Sequence, residues 1–179
     1  MKDEIIIAGH GGQGVVLAGN FISNAAMESG LETCSMVSYG VEMRGGTASS
    51  SVIISDKKIG SPVVVSPTTA LIMNEPSLEI FEEKLKKDGL IILNTSECKK
   101  KVSRKDVKVI EINATKIAEN IGNKKIANFI MLGIYIKNRK ELKIDPSLNI
   151  INKILPKAKE EIIELNKKAF NKGYNFKGD

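Results

Sequence analysis

The sequence predicts an α/β fold of three layers, in which a mostly parallel sheet carries helices on both faces. Short runs of β-branched residues alternate with segments whose apolar residues recur at helical spacing. This alternation is typical of sheets built from strand–helix–strand units. The length of 179 residues is enough for one domain with a sizeable core. Because no internal repeat or linker divides the chain, we expect residues 1–179 to form a single domain.

The first half of the chain predicts a strand, a helix and two further strands. Residues 4–8 are a short, mostly isoleucine run bounded by glycine, which is typical of a buried strand. Apolar residues at helical spacing follow as far as Gly30, a natural helix end. Residues 34–38 predict a second strand, and we expect it to lie beside the first in a parallel crossover unit. Residues 47–55 alternate enough to form a third strand.

The second half predicts three strands among four helices. Apolar runs bounded by turn residues indicate the strands, whereas asparagine and proline residues mark where helices begin. The last helix opens at Pro156 and should place Ala158, Ile162, Leu165 and Ala169 on one apolar face. The predicted strands cover residues 70–73, 90–93 and 107–112, and the other helices cover residues 76–87, 113–121 and 124–137.

Composition excludes several classes of protein. No run approaches the roughly 20 apolar residues that a membrane-spanning helix needs, and the first residues lead straight into a strand without a signal-peptide pattern. We therefore expect a cytoplasmic protein with no membrane partner. The two cysteines cannot supply a four-thiolate metal or iron–sulfur site from one chain. The single histidine, His10, lies within a glycine loop, so we predict neither a catalytic residue nor a metal ligand.

Positive charge is concentrated in the second half of the chain. Residues 1–75 have a net charge of −3 and residues 76–179 a net charge of +9. Lysines in the basic half alternate with acidic residues, and aromatic residues make up only 4% of the chain. This pattern favours a solvated surface over a nucleic-acid interface, which typically uses arginine and stacked aromatics. A module that binds anions or nucleic acid remains an alternative.

A glycine-rich loop separates the first strand from the first helix. Gly9, Gly11 and Gly14 match the pattern G-x-G-x-x-G in the strand–loop–helix setting where it binds phosphate in Rossmann-like folds. Gln13 adds an amide that suits a ligand or a partner's backbone. Three interpretations stay open: close packing of helix on sheet, contact with a phosphate, and contact with another subunit. A free-standing nucleotide-binding dehydrogenase is disfavoured, because no acidic residue ends the second strand.

A second polar loop follows the second strand. It begins at Tyr39, and Arg44 stands in it beside Gly45 and Gly46, just before a run of hydroxyl residues. A guanidinium near hydroxyls and exposed backbone N–H groups can bind an anion. The alternative is an ion pair between Arg44 and Glu42 that shapes the loop. In a doubly wound fold, both glycine-rich loops would lie at the carboxyl ends of strands, where ligands bind.

The two loops together resemble the gamma subunit of 2-oxoacid:ferredoxin oxidoreductases, most closely the 2-oxoglutarate branch, whose gamma component is a short separate chain. Neither loop alone would be specific. The resemblance extends weakly over nearly the whole chain. The residues that carry it are Gly9, Gly11, Gly12, Gln13, Gly14, Val15, Ala18 and Gly19, followed by Ser38, Tyr39, Gly40, Glu42, Arg44, Gly45 and Gly46.

The resemblance implies a role in a multisubunit enzyme. Such complexes oxidatively decarboxylate a 2-oxoacid, transfer the acyl group to coenzyme A and reduce ferredoxin. The alpha, beta and ferredoxin-like delta subunits are expected to hold thiamine diphosphate and iron–sulfur clusters, whereas this chain alone would bind none of these and be inactive. The resemblance places residues 11–14 and the loop 39–46 at the junction with those subunits. It makes Arg44 a candidate for binding a phosphate of coenzyme A or a partner's carboxylate.

Overall fold

A computed structural model describes residues 1–39, 47–145 and 148–178. The strands found there are β1 (Lys2–His10), β2 (Glu32–Tyr39), β3 (Thr47–Ser55), β4 (Thr69–Ile72), β5 (Leu90–Asn94) and β6 (Lys108–Ile112). The helices are α1 (Val15–Glu28), α2 (Glu75–Phe81), α3 (Ala114–Ile121), α4 (Ala127–Lys137), α5 (Asn149–Ile154) and α6 (Glu160–Tyr174), and a 3₁₀ turn (Lys124–Ile126) precedes α4.

The six strands form one sheet in the order β2-β3-β1-β4-β5-β6. Strands β1, β4, β5 and β6 pair in parallel, whereas β3 is antiparallel to both of its neighbours, β1 and β2. The prediction that the first two strands are neighbours is therefore wrong, because β3 lies between them. Strand β2 nevertheless runs in the same direction as β1, so both end at the same edge of the sheet, which we call the carboxyl edge.

Helices cover the sheet on both faces, which confirms the predicted three-layer α/β class. The side chains of Ile5 and Ile7 join a large core formed with α1, α3, α4, α5 and α6. The alternate residues Ile6 and Ala8 join a smaller core under α2. This alternation follows from the two-residue period of a strand, so an unbroken isoleucine run can fill both cores.

The helices differ from those predicted in three respects. Helix α2 ends at Phe81 rather than near residue 87. The next residue, Glu82, is held by contacts outside the helix, because its carboxylate accepts the N–H groups of Ser103 (2.5 Å) and Arg104 (3.1 Å). Helix α5 was not predicted, since its six residues are too few to show a periodic pattern. Helix α6 begins at Glu160, and Pro156 lies in the turn before it.

Helix α4 is buried almost completely, with every residue from 127 to 136 inside the protein. It is covered by α6, and the two helices cross so closely that glycine is needed at the contact. A Cβ atom at Gly133 would overlap the backbone oxygen of Phe170, and one at Gly173 would overlap the backbone oxygen of Ile130. No helix in the described part of the chain has the length and apolar content to cross a membrane.

The opposite edge of the sheet, at the start of β1, is fixed by a buried ionic cluster. The Asp3 carboxylate accepts hydrogen bonds from Tyr135 Oη (2.9 Å), Arg139 Nε (2.6 Å) and the hydroxyls of Thr68 (2.5 Å) and Thr69 (2.9 Å). Burial would raise the pKa of Asp3, but the hydrogen bonds and charge of Arg139, with help from Thr68 and Tyr135, outweigh it and lower that pKa. The cluster connects β1 to β4 and to the end of α4.

Candidate functional site

The glycine loop lies between β1 and α1 at the carboxyl edge, and Gln13 fixes its position. The Gln13 side chain accepts the N–H of His10 through Oε1 (2.9 Å) and donates through Nε2 to the carbonyl of Met73 (3.1 Å). Its amide therefore joins the end of β1 to the residue after β4. Those two strands flank the point where the chain connections diverge, which is where ligands bind in open α/β sheets. The Gln13 side-chain amide is thus already used in hydrogen bonds within the chain, through both its oxygen and its nitrogen.

The glycines of the loop have two different explanations. A Cβ atom at Gly9 would overlap Oε1 of Gln13, and one at Gly14 would lie 2.5 Å from Nδ2 of Asn128. A side chain at either position would therefore have to displace a polar side chain of this chain, Gln13 or Asn128. Gly11 and Gly12 have no atom within 4 Å of an added Cβ. Internal crowding therefore does not account for them, although the φ of +92° at Gly12 itself favours glycine.

A cavity of about 260 Å³ opens beside this loop. On one side it is bounded by residues 10–13, and on the other by residues that follow β4 and β5, begin α3, or lie in the turn before α4 and at the start of α4. Sequence reasoning missed these other residues, and the ends of the predicted strands were an available signal for only the first three of them. They are Met73, Glu97, Thr115, Lys124, Lys125 and Ala127.

Two sets of hydrogen bonds hold the far side of the cavity. Asn94, which is fully buried, donates to Oγ1 of Thr115 (2.9 Å) and accepts the Thr115 N–H (3.3 Å). The Glu75 carboxylate accepts the N–H groups of Lys99 (2.8 Å) and Lys100 (3.0 Å), and these bonds lower the pKa of Glu75. The first set positions Thr115, and the second holds residues 99 and 100, which follow Glu97 in the chain.

The residues that flank the second loop lie at the same edge of the sheet as the first. Tyr39 pairs with Ala48, and Thr47 pairs with His10, so Thr47 lies directly beside the end of β1 and Tyr39 lies one strand further away. The predicted site residues Glu42, Arg44, Gly45 and Gly46 lie outside the described residues. Because β2 and β3 are antiparallel neighbours, residues 40–46 connect the two strands of a hairpin.

The arrangement differs from that of a dinucleotide-binding dehydrogenase. In those enzymes an acidic residue at the end of the second strand holds a ribose next to the glycine loop. Here β2 ends in Val37, Ser38 and Tyr39, and β3 separates it from β1. Among the described residues, no group of three or more His, Cys, Asp or Glu side chains could hold a metal ion.

Comparison with known proteins identifies a consistent group of relatives. The model of the family described as "Pyruvate ferredoxin/flavodoxin oxidoreductase" matches residues 4–176. The 2-oxoglutarate synthase subunit KorC of Methanocaldococcus jannaschii is 32% identical over 177 residues, which cover 97% of this chain and 93% of KorC. The ketoisovalerate oxidoreductase subunit VorA of Methanothermobacter thermautotrophicus is 33% identical over 170 residues, which cover 95% of this chain. This chain spans only about a third (35%) of the length of VorA.

Solved structures show the same fold. The gamma subunit of a keto/oxoacid ferredoxin oxidoreductase from Geobacter sulfurreducens superposes with a TM-score of 0.79 at 27% identity, covering 96% of each chain. A 2-oxoglutarate:ferredoxin oxidoreductase from Magnetococcus marinus, whose structure contains 2-oxoglutarate, coenzyme A and succinyl-CoA, superposes with a TM-score of 0.82 at 22% identity. That match covers 97% of this chain and 30% of the other, and at this identity it supports the fold alone.

Proposed function

Because this chain belongs to the pyruvate ferredoxin/flavodoxin oxidoreductase family, we propose that it is the gamma subunit of a cytoplasmic 2-oxoacid:ferredoxin oxidoreductase. The complex would oxidatively decarboxylate a 2-oxoacid, form the acyl-coenzyme A and reduce ferredoxin. The observation that carries this proposal is the match to KorC over nearly the full length of both chains. The same match favours 2-oxoglutarate as the substrate, since it covers more of both chains than the match to the pyruvate synthase subunit PorC, which covers 86% of each, and since VorA is much longer than this chain.

The proposed role of this chain is to complete an active-site cleft built mainly by other subunits. Two cysteines are too few for an iron–sulfur cluster within one copy, so the clusters and thiamine diphosphate are assigned to alpha, beta and ferredoxin-like delta subunits. The contact surface would be the carboxyl edge, where Gly11 and Gly12 leave room for close approach of another backbone or a ligand. Tyr39 ends β2 and Thr47 begins β3 at that edge, and the segment between them would contribute Arg44 to coenzyme A.

Purification of the tagged chain from its source organism tests the subunit assignment. We expect it to elute with larger subunits that contain iron and thiamine diphosphate, and the complex should reduce ferredoxin only when 2-oxoglutarate and coenzyme A are both present. Pyruvate and 2-oxoisovalerate serve as competing substrates, because relatives named for pyruvate and ketoisovalerate are also similar to this chain. A chain that elutes alone, or one that oxidises a 2-oxoacid unaided, would contradict the proposal.

The coenzyme A contact is tested by Arg44→Ala in the assembled complex. Loss of a charge-assisted hydrogen bond costs about 1.5–3 kcal/mol, which corresponds to a rise of roughly tenfold or more in the coenzyme A concentration for half-maximal rate. Lys58→Ala is the control, because it removes the same charge from an exposed position at the opposite edge of the sheet. An unchanged coenzyme A requirement in Arg44→Ala would exclude the contact.

A further inference from the structure

Strand β2 is the outermost strand on one side of the sheet, and its outer backbone faces no other strand of the described chain. The strand order β2-β3-β1-β4-β5-β6 leaves β3 as its one neighbouring strand among the described residues. In an antiparallel pair, alternate residues direct their N–H and C=O groups away from the neighbour. Alternate residues of Glu32–Tyr39 therefore present a row of donors and acceptors that a further strand can bind.

The side chains of β2 do not protect this row of backbone groups. Outermost strands that stay single are usually very short, or carry lysine or proline. Strand β2 has eight residues, and Glu32 at its start is the one charged residue among them. Met36 and Val37 follow with 46% and 42% of their surfaces exposed. Because neighbouring side chains of a strand point to opposite faces, β2 exposes apolar surface on both faces of the sheet.

Strand β6, the outermost strand on the other side, has the protection that β2 lacks. It has five residues, and the charged Lys108 and Glu111 are exposed on it. The Lys108 ammonium donates to Oδ1 of Asn138, just after α4 (3.0 Å). Phe176 and Gly178 line the groove beside β6. The two outermost strands therefore differ in how easily another strand can pair with them, and β2 is the more accessible.

A second copy of β2 is complementary to this strand. A twofold axis through Met36, perpendicular to the sheet, makes the two copies of β2 antiparallel and keeps each face of one sheet level with the same face of the other. Residues 33–39 then pair with the same residues of the second copy, and Val37 lies opposite Ser35. Residues 33–39 contain no charged side chain, so no like charges meet across the pair. Other registers that keep the faces level pair fewer of these uncharged residues.

We infer that two copies of this chain associate through β2 and form one continuous sheet of twelve strands, six from each copy. This inference goes beyond the proposed function. Because the paired strands run in opposite directions, the carboxyl edges of the two copies lie at opposite ends of the dimer, and both stay open to other subunits. An interface centred on one strand pair is small, below about 1,200 Å² of buried surface, so we expect a dissociation constant in the micromolar range.

Sedimentation velocity of the full 179-residue chain tests the inference. We expect the mass to rise from 19.5 kDa toward twice that value as the concentration passes through the micromolar range. Met36→Lys places two ammonium groups opposite each other at the twofold axis and should weaken dimerisation roughly tenfold or more. Met27→Lys is the matched control, because it adds the same charge at an exposed methionine of α1. It should leave the dissociation constant within about twofold.

An exchange of charges tests the register. Ser35 and Val37 are both exposed, and each would lie opposite the other residue of the second copy. The variants Ser35→Lys/Val37→Lys and Ser35→Glu/Val37→Glu should each be monomeric alone, because like charges would face each other. An equimolar mixture should form a mixed dimer with roughly tenfold or more higher affinity than either variant with itself, because opposite charges then pair. Far-UV circular dichroism shows that each variant is folded.

Three results would overturn the inference. They are a wild-type chain that stays monomeric up to about 100 µM, charged variants that dimerise like wild type, and a mixture of the two double variants that stays monomeric. Each of these results leaves the proposed function standing, because a strand of another subunit could then cover β2. Dimerisation that is lost in Met36→Lys, kept in Met27→Lys and restored in the mixture would support the inference.

Discussion

The glycines in the loop after β1 are needed for different reasons. These reasons become clear from the atoms that an added methyl group would contact at each position. Gly9 and Gly14 make room for Gln13 and Asn128, so a side chain there would displace internal contacts. Gly11 has open space around its Cβ position and no positive φ. Of these glycines, Gly11 is the one where a substitution tests an external contact without first disturbing the chain itself.

We predict that Gly11→Ala leaves the free energy of unfolding within about 0.5 kcal/mol of wild type, because an exposed alanine fits this backbone. In the assembled complex the added methyl group should weaken subunit association or raise the coenzyme A requirement. Gly60→Ala is a matched control, since Gly60 is also exposed with open space at its Cβ position. If both variants assemble and turn over like wild type, no close contact is made at Gly11.

The sequence predicted the glycine loop but not the structural roles of its individual residues. The pattern of Gly9, Gly11 and Gly14 after a strand was visible, whereas the internal role of Gln13 depends on Met73, which lies 60 residues away in sequence. Lys124 and Lys125 were missed as lining residues of the cavity for a related reason. They come from a turn before α4, and sequence alone does not show which lysines of a basic half border a shared cavity. The roles of the predicted site residues stay predictions.

At the scale of elements, the crossing of α4 and α6 determines how the large core is closed. Helix α4 is apolar on every side and buried along its length, so its stability depends on the helix that covers it. The contact through Gly133 and Gly173 brings the two backbones together without side chains between them. A close backbone contact leaves little room for adjustment by rotamer changes.

Gly133→Ala distinguishes the effect of packing from that of helix propensity, because the two change the free energy of unfolding in opposite directions. Propensity alone would stabilise α4 by about 1 kcal/mol, whereas overlap with the backbone of Phe170 should destabilise the protein by about 1–3 kcal/mol. Urea unfolding measures the difference, and Lys168→Ala on the exposed side of α6 should change stability by less than about 0.5 kcal/mol. A stabilised Gly133→Ala protein would show that the helices can separate at no cost.

Local patterns predicted elements better than their arrangement. Each of the six strands was expected near its observed position, because β-branched runs bounded by turns are a strong signal. The insertion of β3 between β1 and β2 was not expected. It depends on β3 pairing with both neighbours over most of its length, and the residues of the hairpin do not by themselves specify where a third strand will join.

For the whole molecule, the two edges of the sheet have different physical roles. The carboxyl edge contains the open backbone of Gly11 and Gly12, whereas the opposite edge is fixed by Asp3 with its hydroxyl and guanidinium partners. The lowered pKa of Asp3 means that folding favours its ionised form. Its contribution to stability is therefore present above the ordinary pKa of 3.8 and is lost as the pH falls through the lower folded-state value.

Asp3→Asn should destabilise the chain by about 2 kcal/mol at pH 6. Removing one partner of a fully buried ion pair costs roughly 3–5 kcal/mol. The expected loss is smaller here because 22% of the Arg139 side chain is exposed. The difference from wild type should shrink as the pH is lowered toward 3, since the wild-type carboxylate then takes up a proton. Denaturant unfolding at several pH values measures it. Asp56→Asn, at a largely exposed ion pair with the N-terminus, should have little effect. A pH-independent difference would exclude this ionic contribution.

The pairing of β2 with β3 has a consequence for how the protein could diversify. Eight residue pairs fix the hairpin stem, from Glu32 opposite Ser55 to Tyr39 opposite Ala48, so the positions of both strands are set before the connecting segment begins. The entropy of closing a connection rises only slowly with its length. Evolution or a protein engineer could therefore lengthen, shorten or replace residues 40–46 while the sheet and its cores stay as they are, and so alter recognition at this rim without rebuilding the scaffold.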